Sequence, residues 1–190
     1  VVLCGDDPGS AVYVRNKVRA AERAGFDFRL HTPDAGATTE QLLELVGGLV
    51  ADDSIDGILV QLPLPKQIDQ QAVVSAVPPH KDADGFHPFN FGQLAEGGTP
   101  VAAPCTALGC MELLRRSEVP VVGSNAVVIG RSTTVGRPMA LLLTNADATV
   151  TLCHSKTRHL VDVARGADIL VAAIGRPVMI TAEFVKPGAC

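Results

Sequence analysis

In the stretch Val60-Gln61-Leu62-Pro63-Leu64-Pro65, an apolar run that begins at Gly57 ends at two prolines. The run is typical of a buried β-strand. The prolines stop that strand, because proline lacks the amide N–H of a sheet ladder and restricts the residue before it. Gln61 is therefore predicted to lie at the carboxyl end of a buried strand, which is where ligands bind in open α/β sheets.

Outward from this strand, apolar runs alternate with segments of helical periodicity. We predict strands at residues 1–4, 26–31, 55–61, 125–129, 148–153 and 169–173. We predict helices at residues 10–24, 41–52, 68–77, 105–117, 137–145 and 159–165, the first two capped by Ser10 and Thr39. Such alternation is typical of parallel sheets, so the predicted fold class is α/β.

Two irregular stretches divide the chain. Residues 78–104 are rich in Gly, Pro, Asn, Asp and His and are predicted to form a long loop, which in a compact domain is usually functional or disordered. The polar, proline-containing stretch at residues 117–123 is the natural boundary between two domains, residues 1–117 and 118–190. Because the chain starts without methionine inside an apolar run, we expect it to be part of a longer protein.

The composition argues against several classes of protein. A formal net charge of -4 does not supply the basic surface that nucleic-acid binding needs, so we expect no nucleic-acid partner. No apolar run approaches the roughly 20 residues that span a bilayer, and no signal-peptide layout is present, so we expect no membrane association. The five cysteines are odd in number and contain no Cys-x-x-Cys pair, which favours a reduced, cytoplasmic protein over a disulfide framework.

A second candidate site lies in the sequence Val-Val-Ile-Gly-Arg-Ser-Thr-Thr-Val-Gly at residues 127–136. It combines a strand, a small polar loop and a helix start, and the free N–H groups of a helix N-terminus bind anions. The spacing from Gly130 to Gly136 differs from the Gly-x-Gly-x-x-Gly of common dinucleotide folds. A tight strand-to-helix turn without a ligand is therefore an open alternative.

The end of the next strand bears on the cofactor. An NAD site typically places Asp or Glu there, but Cys153-His154-Ser155-Lys156-Thr157 contains no acid. Its donors, together with Arg131, suit a 2′-phosphate and favour NADP over NAD, although a solvated loop is the alternative. After the third strand, Ile174 and Gly175 can approach a nicotinamide, because glycine permits close backbone contact.

Tyr13 and Lys17 are four residues apart on the first predicted helix and share one face. One interpretation is an exposed amphipathic pair that covers the sheet edge. The other makes Tyr13 a stacking platform and Lys17 a proton-handling group, since burial can bring a lysine into the range of general bases. A neutral amide such as Gln61 would orient this lysine without favouring its protonated form.

Residues 81–87, Lys-Asp-Ala-Asp-Gly-Phe-His, place two carboxylates next to a glycine. They do not fit a calcium loop, because Phe86 occupies the third ligand position and Gln93 the closing position. The spacing does not match a zinc site either, so we expect no metal. An Asx-type turn is one alternative, and a carboxylate that accepts paired N–H groups from an aminopyrimidine edge is another.

Together these motifs resemble the methylenetetrahydrofolate dehydrogenase/cyclohydrolase family along essentially the whole chain. The matching motifs, in order, are Gly5-Asp6-Asp7-Pro8-Gly9-Ser10, Tyr13-x3-Lys17, Val60-Gln61-Leu62-Pro63-Leu64-Pro65, Lys81-Asp82-Ala83-Asp84-Gly85, Gly130-Arg131-Ser132-x2-Val135-Gly136 and Cys153-His154-Ser155-Lys156-Thr157. The resemblance implies two α/β domains separated by a cleft that holds the folate, the second a Rossmann-like NADP-binding domain. The family's C-terminal Pro-Gly-Gly-Val-Gly-Pro-Met-Thr type motif is absent from these 190 residues.

The resemblance implies a role for each candidate in the first domain. Tyr13 would stack on the folate ring system, and Lys17 would be the central catalytic residue. Gln61 would hydrogen-bond Lys17 and tune its protonation. Asp84 would bind the pterin edge.

In the second domain the resemblance implies an NADP site. Arg131 and Ser155 would hold the 2′-phosphate of the cofactor. Gly130, Ser132 and Ile174 would line the rest of the dinucleotide.

The family's chemistry is oxidation of 5,10-methylenetetrahydrofolate by NADP+, followed by hydrolysis of the methenyl product to 10-formyltetrahydrofolate. The resemblance further implies a homodimer. The alternatives are a dehydrogenase of the same family without cyclohydrolase activity, which the presence of Lys17 and Gln61 disfavours, and a non-catalytic folate- or nucleotide-binding protein.

Overall fold

The computed structural model describes residues 1–190, which divide into two compact units, Val1–Pro88 and Phe89–Cys190. The helices are α1 Pro8–Ala24, α2 Thr39–Ala51, α3 Gln70–Ala76, α4 Pro88–Ala95, α5 Cys105–Arg116, α6 Gly136–Asn145 and α7 Leu160–Arg165, with a short 3₁₀ helix at Ala182–Phe184. The strands are β1 Asn125–Ile129, β2 Thr149–Cys153 and β3 Ile169–Ala172. The predicted α/β class is confirmed. None of the helices is both long and apolar enough to cross a membrane.

The second unit is built on a parallel sheet of order β2-β1-β3. The central strand β1 is buried on both faces, as expected for a parallel sheet with helices on each side. Ala126 and Val128 pack in a core with α5 and α6, whereas Val127 and Ile129 pack in a core with α7 and Phe184. This arrangement confirms the Rossmann-like character predicted from the sequence.

The first unit corrects the strands predicted at residues 1–4, 26–31 and 55–61. They do not form continuous ladders, and parallel pairing is limited to single bridges of Val2 with His31, Val2 with Val60, and Ile58 with Asp82. Residues 26–31 do not bury their apolar side chains, since Phe26 is 71% exposed, and this segment contributes only His31 to the pairing.

The region predicted as a loop, residues 78–104, contains two structured parts. Asp82 pairs with Ile58, so residues near 82 form a fourth parallel segment, and α4 follows at Pro88–Ala95. The helix was missed because its sequence contains Asn90 and Gly92, which have low helix propensity.

Both predicted helix caps are wrong by one to three residues. Asp7, not Ser10, caps α1, because Pro8 occupies the first helical position and the Asp7 carboxylate accepts the Ser10 N–H at 2.6 Å. Thr38, not Thr39, caps α2 in a reciprocal capping box with Gln41.

Helix α5 packs within the second unit, where Ala107 and Leu114 contribute to the same core as β1 and α6. The two units are defined by compactness alone, so the position of α5 does not test where the functional domains divide. The division into functional domains at residues 1–117 and 118–190 stays a prediction.

Candidate functional site

The order of the paired segments in the first unit locates its ligand-binding edge. Val2 lies between His31 on one side and Val60 on the other, and Asp82 pairs outside Ile58. After the segment at residue 2 the chain continues to the neighbouring segment at residue 31, on one side. After the segment at residues 58–60 it continues to the segment at residue 82, on the opposite side. Such a switch point opens a crevice at the carboxyl ends of the two central segments.

Lys17 and Gln61 meet at this edge. The Lys17 Nζ donates to Gln61 Oε1 at 3.1 Å, and both side chains are half-buried. The Gln61 backbone is fixed by its N–H bond to Val2 O at 2.9 Å. Its side-chain Nε2 donates to Leu62 O at 2.8 Å, which turns the amide oxygen toward the lysine. The predicted contact between Lys17 and Gln61 is therefore present, and its chemical role stays a prediction.

Tyr13 lies one turn before Lys17 on α1. Its side chain is 67% exposed, so the helix does not bury the ring in its own core. The interpretation of Tyr13 and Lys17 as a purely surface pair does not hold for Lys17, which has a defined partner. For Tyr13 the exposed ring is compatible with stacking on a planar ligand.

Asp84 follows the outer segment and is half-buried. Burial raises the pKa of its carboxyl group, the positive charge of Lys17 opposes that shift, and the negative charge of Asp82 adds to it. The two predicted residues Lys17 and Asp84 thus influence each other electrostatically. The structure brings Lys17, Gln61 and Asp84 into one polar neighbourhood in the first unit.

The sequence offered Asp82 only as one of two carboxylates in a possible metal site or turn and gave it no role in the folate site, but the structure gives it a specific place. Its side chain is 7% exposed, and its two carboxylate oxygens accept the N–H groups of Gly85 at 3.0 Å and His87 at 2.8 Å. An Asx turn joins a carboxylate to the N–H two residues on. Asp82 instead accepts from residues three and five positions on, so these bonds form a wider carboxylate-backbone turn than the Asx-type alternative. No three His, Cys, Asp or Glu side chains are grouped so as to hold a metal ion.

The loop after β1 is shaped by two glycines. Gly130 has a φ of 119°, and a Cβ atom there would lie 2.1 Å from Ala173 O. A Cβ atom on Gly136 would lie 1.9 Å from Gly130 O. The spacing between the two glycines thus has a structural cause: the loop closes onto its own start and onto the segment after β3.

Ser132 lies in the loop before α6, and its side chain hydrogen-bonds the start of that helix. Its Oγ accepts the N–H groups of Val135 at 3.1 Å and Gly136 at 3.3 Å. The first N–H groups of a helix have no partner within the helix, and two of those that could bind an anion here already donate to the Ser132 hydroxyl. An anion at this position would meet the Ser132 side chain before the amides behind it.

The remaining cofactor candidates lie at the same edge of the sheet. Ile129 is in register with Cys153 and Ala172, so the segments that follow the three strands leave from one end. Arg131 is exposed, and the Arg137 Nε–H donates a hydrogen bond to its carbonyl oxygen at 3.2 Å.

The segment after β2 forms a closed turn. The His154 N–H donates to Thr157 Oγ1 at 2.9 Å and the Thr157 N–H donates to His154 O at 2.9 Å, which leaves Ser155 exposed. After β3, Ile174 packs against the core that contains α7, and Gly175 has a φ of 58°. The structure thus collects all five predicted cofactor residues at one edge.

Replacing Gly136 with alanine is expected to lower the free energy of unfolding by about 3 kcal/mol, because the new Cβ would overlap a backbone carbonyl that cannot move without opening the loop. Urea denaturation measures this change. Gly109→Ala is the matched control: this glycine lies within α5 and its Cβ would meet nothing within 4 Å, so stability should rise by about 0.5–1 kcal/mol. Equal effects of the two substitutions would contradict the packing argument.

Comparisons with known proteins match both halves of the chain. The family model described as tetrahydrofolate dehydrogenase/cyclohydrolase, catalytic domain, matches residues 1–84. The model described as tetrahydrofolate dehydrogenase/cyclohydrolase, NAD(P)-binding domain, matches residues 104–190.

Among similar proteins is the bifunctional protein FolD of Koribacter versatilis, 60% identical over 189 residues, which cover 100% of this chain and 61% of that protein. FolD of Methanospirillum hungatei is 53% identical, with 99% of this chain and 67% of that protein covered. A solved structure of the Trypanosoma brucei N5,N10-methylenetetrahydrofolate dehydrogenase-cyclohydrolase, complexed with NADP cofactor and inhibitor, is 42% identical with a TM-score of 0.96, covering 100% of this chain and 65% of that one. The chain thus spans about three fifths of the Koribacter relative's length.

Proposed function

Because this chain belongs to the tetrahydrofolate dehydrogenase/cyclohydrolase family, we propose that its protein oxidises 5,10-methylenetetrahydrofolate with NADP+ and hydrolyses the methenyl product to 10-formyltetrahydrofolate. The observation that carries the proposal is the 3.1 Å hydrogen bond between Lys17 and Gln61 at the ligand-binding edge of the first unit. This hydrogen bond gives the Lys17 amine a defined orientation at the edge where the folate ring would bind.

In this proposal the folate binds to the domain at residues 1–117. The exposed ring of Tyr13 stacks on the pterin, which replaces water on both planar surfaces. Asp84 accepts hydrogen bonds from the aminopyrimidine edge. The raised pKa of Asp84 is compensated on binding, because N–H donors favour its ionised form.

Lys17 moves the proton in the hydrolytic step. Water adds to the methenyl carbon and loses one proton. The ring C–N bond then breaks as its nitrogen gains a proton and the new hydroxyl group loses its remaining proton to solvent, leaving the formyl C=O. An amine within reach of both positions can accept the first proton and return it. Gln61 holds the amine in place through a neutral oxygen, so this hydrogen bond orients Lys17 without itself adding a negative charge.

The residues at the edge of the second unit fit a phosphorylated dinucleotide. The two glycines leave no side chain between the loop and its neighbours, and no acidic residue occurs at residues 153–157. Arg131 and Ser155 would bind the 2′-phosphate, and Gly130, Ser132 and Ile174 would line the remainder. Bound NADP+ would supply the hydride acceptor. This assigns the cofactor to the domain at residues 118–190.

We extend the proposal to the setting of the enzyme. The five cysteines are all free thiols, which supports a reducing, cytoplasmic location. A homodimer follows the family's pattern, and the exposed side chains of Leu113 and Val122 on the second unit offer apolar area for it to cover. Its formyl product would supply one-carbon units for purine and amino-acid biosynthesis.

Turnover tests the proposal directly. The protein, expressed from its complete gene, is mixed with methylenetetrahydrofolate and NADP+, and the methenyl and formyl products are followed in time. Sequential appearance of both is expected. Methenyl product that accumulates without hydrolysis would identify a monofunctional dehydrogenase, and no methenyl product with either NADP+ or NAD+ would identify a binding protein.

Gln61→Glu is expected to move the rise of cyclohydrolase activity to higher pH. A carboxylate in hydrogen-bond contact with the Lys17 Nζ would favour the protonated amine, so more alkaline solution is needed to generate the base. The measurement is the pH profile of kcat for methenyltetrahydrofolate hydrolysis. Gln67→Glu is the control, since the Gln67 Nε2 donates to the backbone of residues 35 and 37 and not to Lys17. An unmoved profile for Gln61→Glu would refute the orienting role.

A further inference from the structure

Asp82 is a buried carboxylate beside a proposed substrate-binding residue. It lies in the outermost paired segment of the first unit and is 7% exposed. Burying a charged group is costly unless it is hydrogen-bonded, so its partners indicate what it is for. A surface turn can be made by an exposed Asp or Asn, and burial therefore requires a further explanation.

The hydrogen bonds of Asp82 fix the chain on the far side of Asp84. On the near side, the Ala83 N–H donates to Ile58 O at 3.2 Å, and the Ile58 N–H donates to Lys81 O at 2.7 Å. On the far side, the Asp82 carboxylate accepts the N–H groups of Gly85 and His87. Asp84 is thus held between a sheet pair and a carboxylate clamp.

The same carboxylate is an electrostatic neighbour of Asp84. Burial is the largest cause of the raised pKa of Asp84, Lys17 of α1 opposes it, and Asp82 adds to it. The other side chains that line the small pocket around Asp82 and Asp84 are uncharged: Ile58, Val60, Val74, Val77 and Phe86. Lys17 and Asp82 are therefore the charged groups that set the behaviour of Asp84 from the surrounding elements.

We propose that Asp82 is a positioning residue of the folate site, whose buried carboxylate holds the backbone after Asp84 and places a negative charge beside it. The inference rests on the proposed function and assigns a residue to the substrate site that sequence reasoning left out. Asp82 acts on the folate through Asp84, by fixing where that carboxylate lies and at which pH it is ionised.

Two substitutions separate position from charge. Asp82→Asn keeps the size of the side chain but removes the charge and one acceptor. With that negative charge gone, the pKa of Asp84 falls, so ionised Asp84 persists to lower pH. The acid limb of the pH profile, where folate binding is lost as the pH falls, should move down by roughly half a pH unit. The KM for folate should rise about tenfold. Asp82→Glu keeps the charge but misplaces the backbone, so the KM should rise while the acid limb stays.

The readout is KM for methylenetetrahydrofolate from mildly acidic to neutral pH, with kcat measured alongside. Asp69→Asn is the matched control, because the Asp69 carboxylate also accepts a backbone N–H, that of Ala72 at 3.0 Å, but caps the exposed start of α3. Asp69→Asn should change neither the KM nor the acid limb of its pH profile. A purely structural role of Asp82 would raise KM equally at every pH.

The inference is overturned if Asp82→Asn leaves the acid limb in place, or if Asp82→Asn and Asp82→Glu move it equally. If Asp82→Asn does not fold, Asp82→Ser takes its place, because it also removes the charge: an acid limb moved to lower pH supports the inference, and an unmoved limb overturns it. Failure of the proposed function is distinct, because the unsubstituted protein would then show no turnover.

Discussion

Lys17→Met is expected to lower the rate of methenyltetrahydrofolate hydrolysis by about 100- to 10,000-fold, the usual contribution of a positioned acid–base group. Hydride transfer should fall much less. Hydrolysis moves protons to and from the attacking water and the leaving nitrogen, whereas the oxidation removes a hydride and builds a cation that a protonated amine would oppose. Methionine is similar in length but exchanges no proton. Separate assays of methenyl formation and methenyl hydrolysis measure the two effects.

Lys66→Met is the control for the loss of a lysine from the first unit, because Lys66 is exposed and has no part in the proposed site. It should leave both rates unchanged. Equal losses of oxidation and hydrolysis in Lys17→Met would contradict proton transfer as the role of Lys17 and would indicate a role in binding alone.

Arg131→Ala is expected to raise the KM for NADP+ by roughly 10- to 100-fold, the cost of losing hydrogen bonds between charged groups. The KM for NAD+ should change little, because NAD+ carries no 2′-phosphate. The substitution tests the loop directly, since Arg131 is exposed and its side chain is not needed to close the turn between the two glycines. Initial rates of methylenetetrahydrofolate oxidation at varied cofactor concentration give both constants.

Arg116→Ala controls for the removal of a positive charge from the second unit, because Arg116 pairs with Glu112 on the exposed face of α5. Neither cofactor should be affected. A similar rise in KM for NADP+ and NAD+ in Arg131→Ala would show that Arg131 contacts a part that both cofactors share.

The second unit was predictable because its signals are local. The strand at residues 125–129 was predicted with both ends correct, and α6 was predicted within one residue. Val127 and Ile129 bury one face of that strand and Ala126 and Val128 the other, so the sequence shows a continuous apolar run that stops at Gly130.

The first unit was less predictable because its pairing is sparse and non-local. An apolar run predicts burial, but it does not reveal that Val2 and Ile58 would form single bridges, or that Asp82 would be a partner. The cap of α1 was misplaced because Ser10 and Asp7 are both good capping residues, and only the position of Pro8 decides between them.

The candidate site was predicted in part. The contact between Lys17 and Gln61 joins residues 44 apart in the chain, and it was expected from the family resemblance rather than from periodicity. Asp82 was missed because its importance depends on burial, which a charged residue in a glycine-rich stretch does not signal. Its partners are backbone N–H groups, which leave no side-chain pattern in the sequence.

In the closed loop between Gly130 and Gly136, different residues determine the path of the backbone and the choice of nucleotide. The two glycines fix the path of the loop, because a side chain at either position would meet backbone at about 2 Å. Arg131 and Thr133 between them face solvent and support none of the core. Over generations, a lineage can therefore exchange these side chains and change the nucleotide it accepts while its fold persists. A substitution at either glycine would instead disturb the path of the loop itself, and with it the site that the side chains serve.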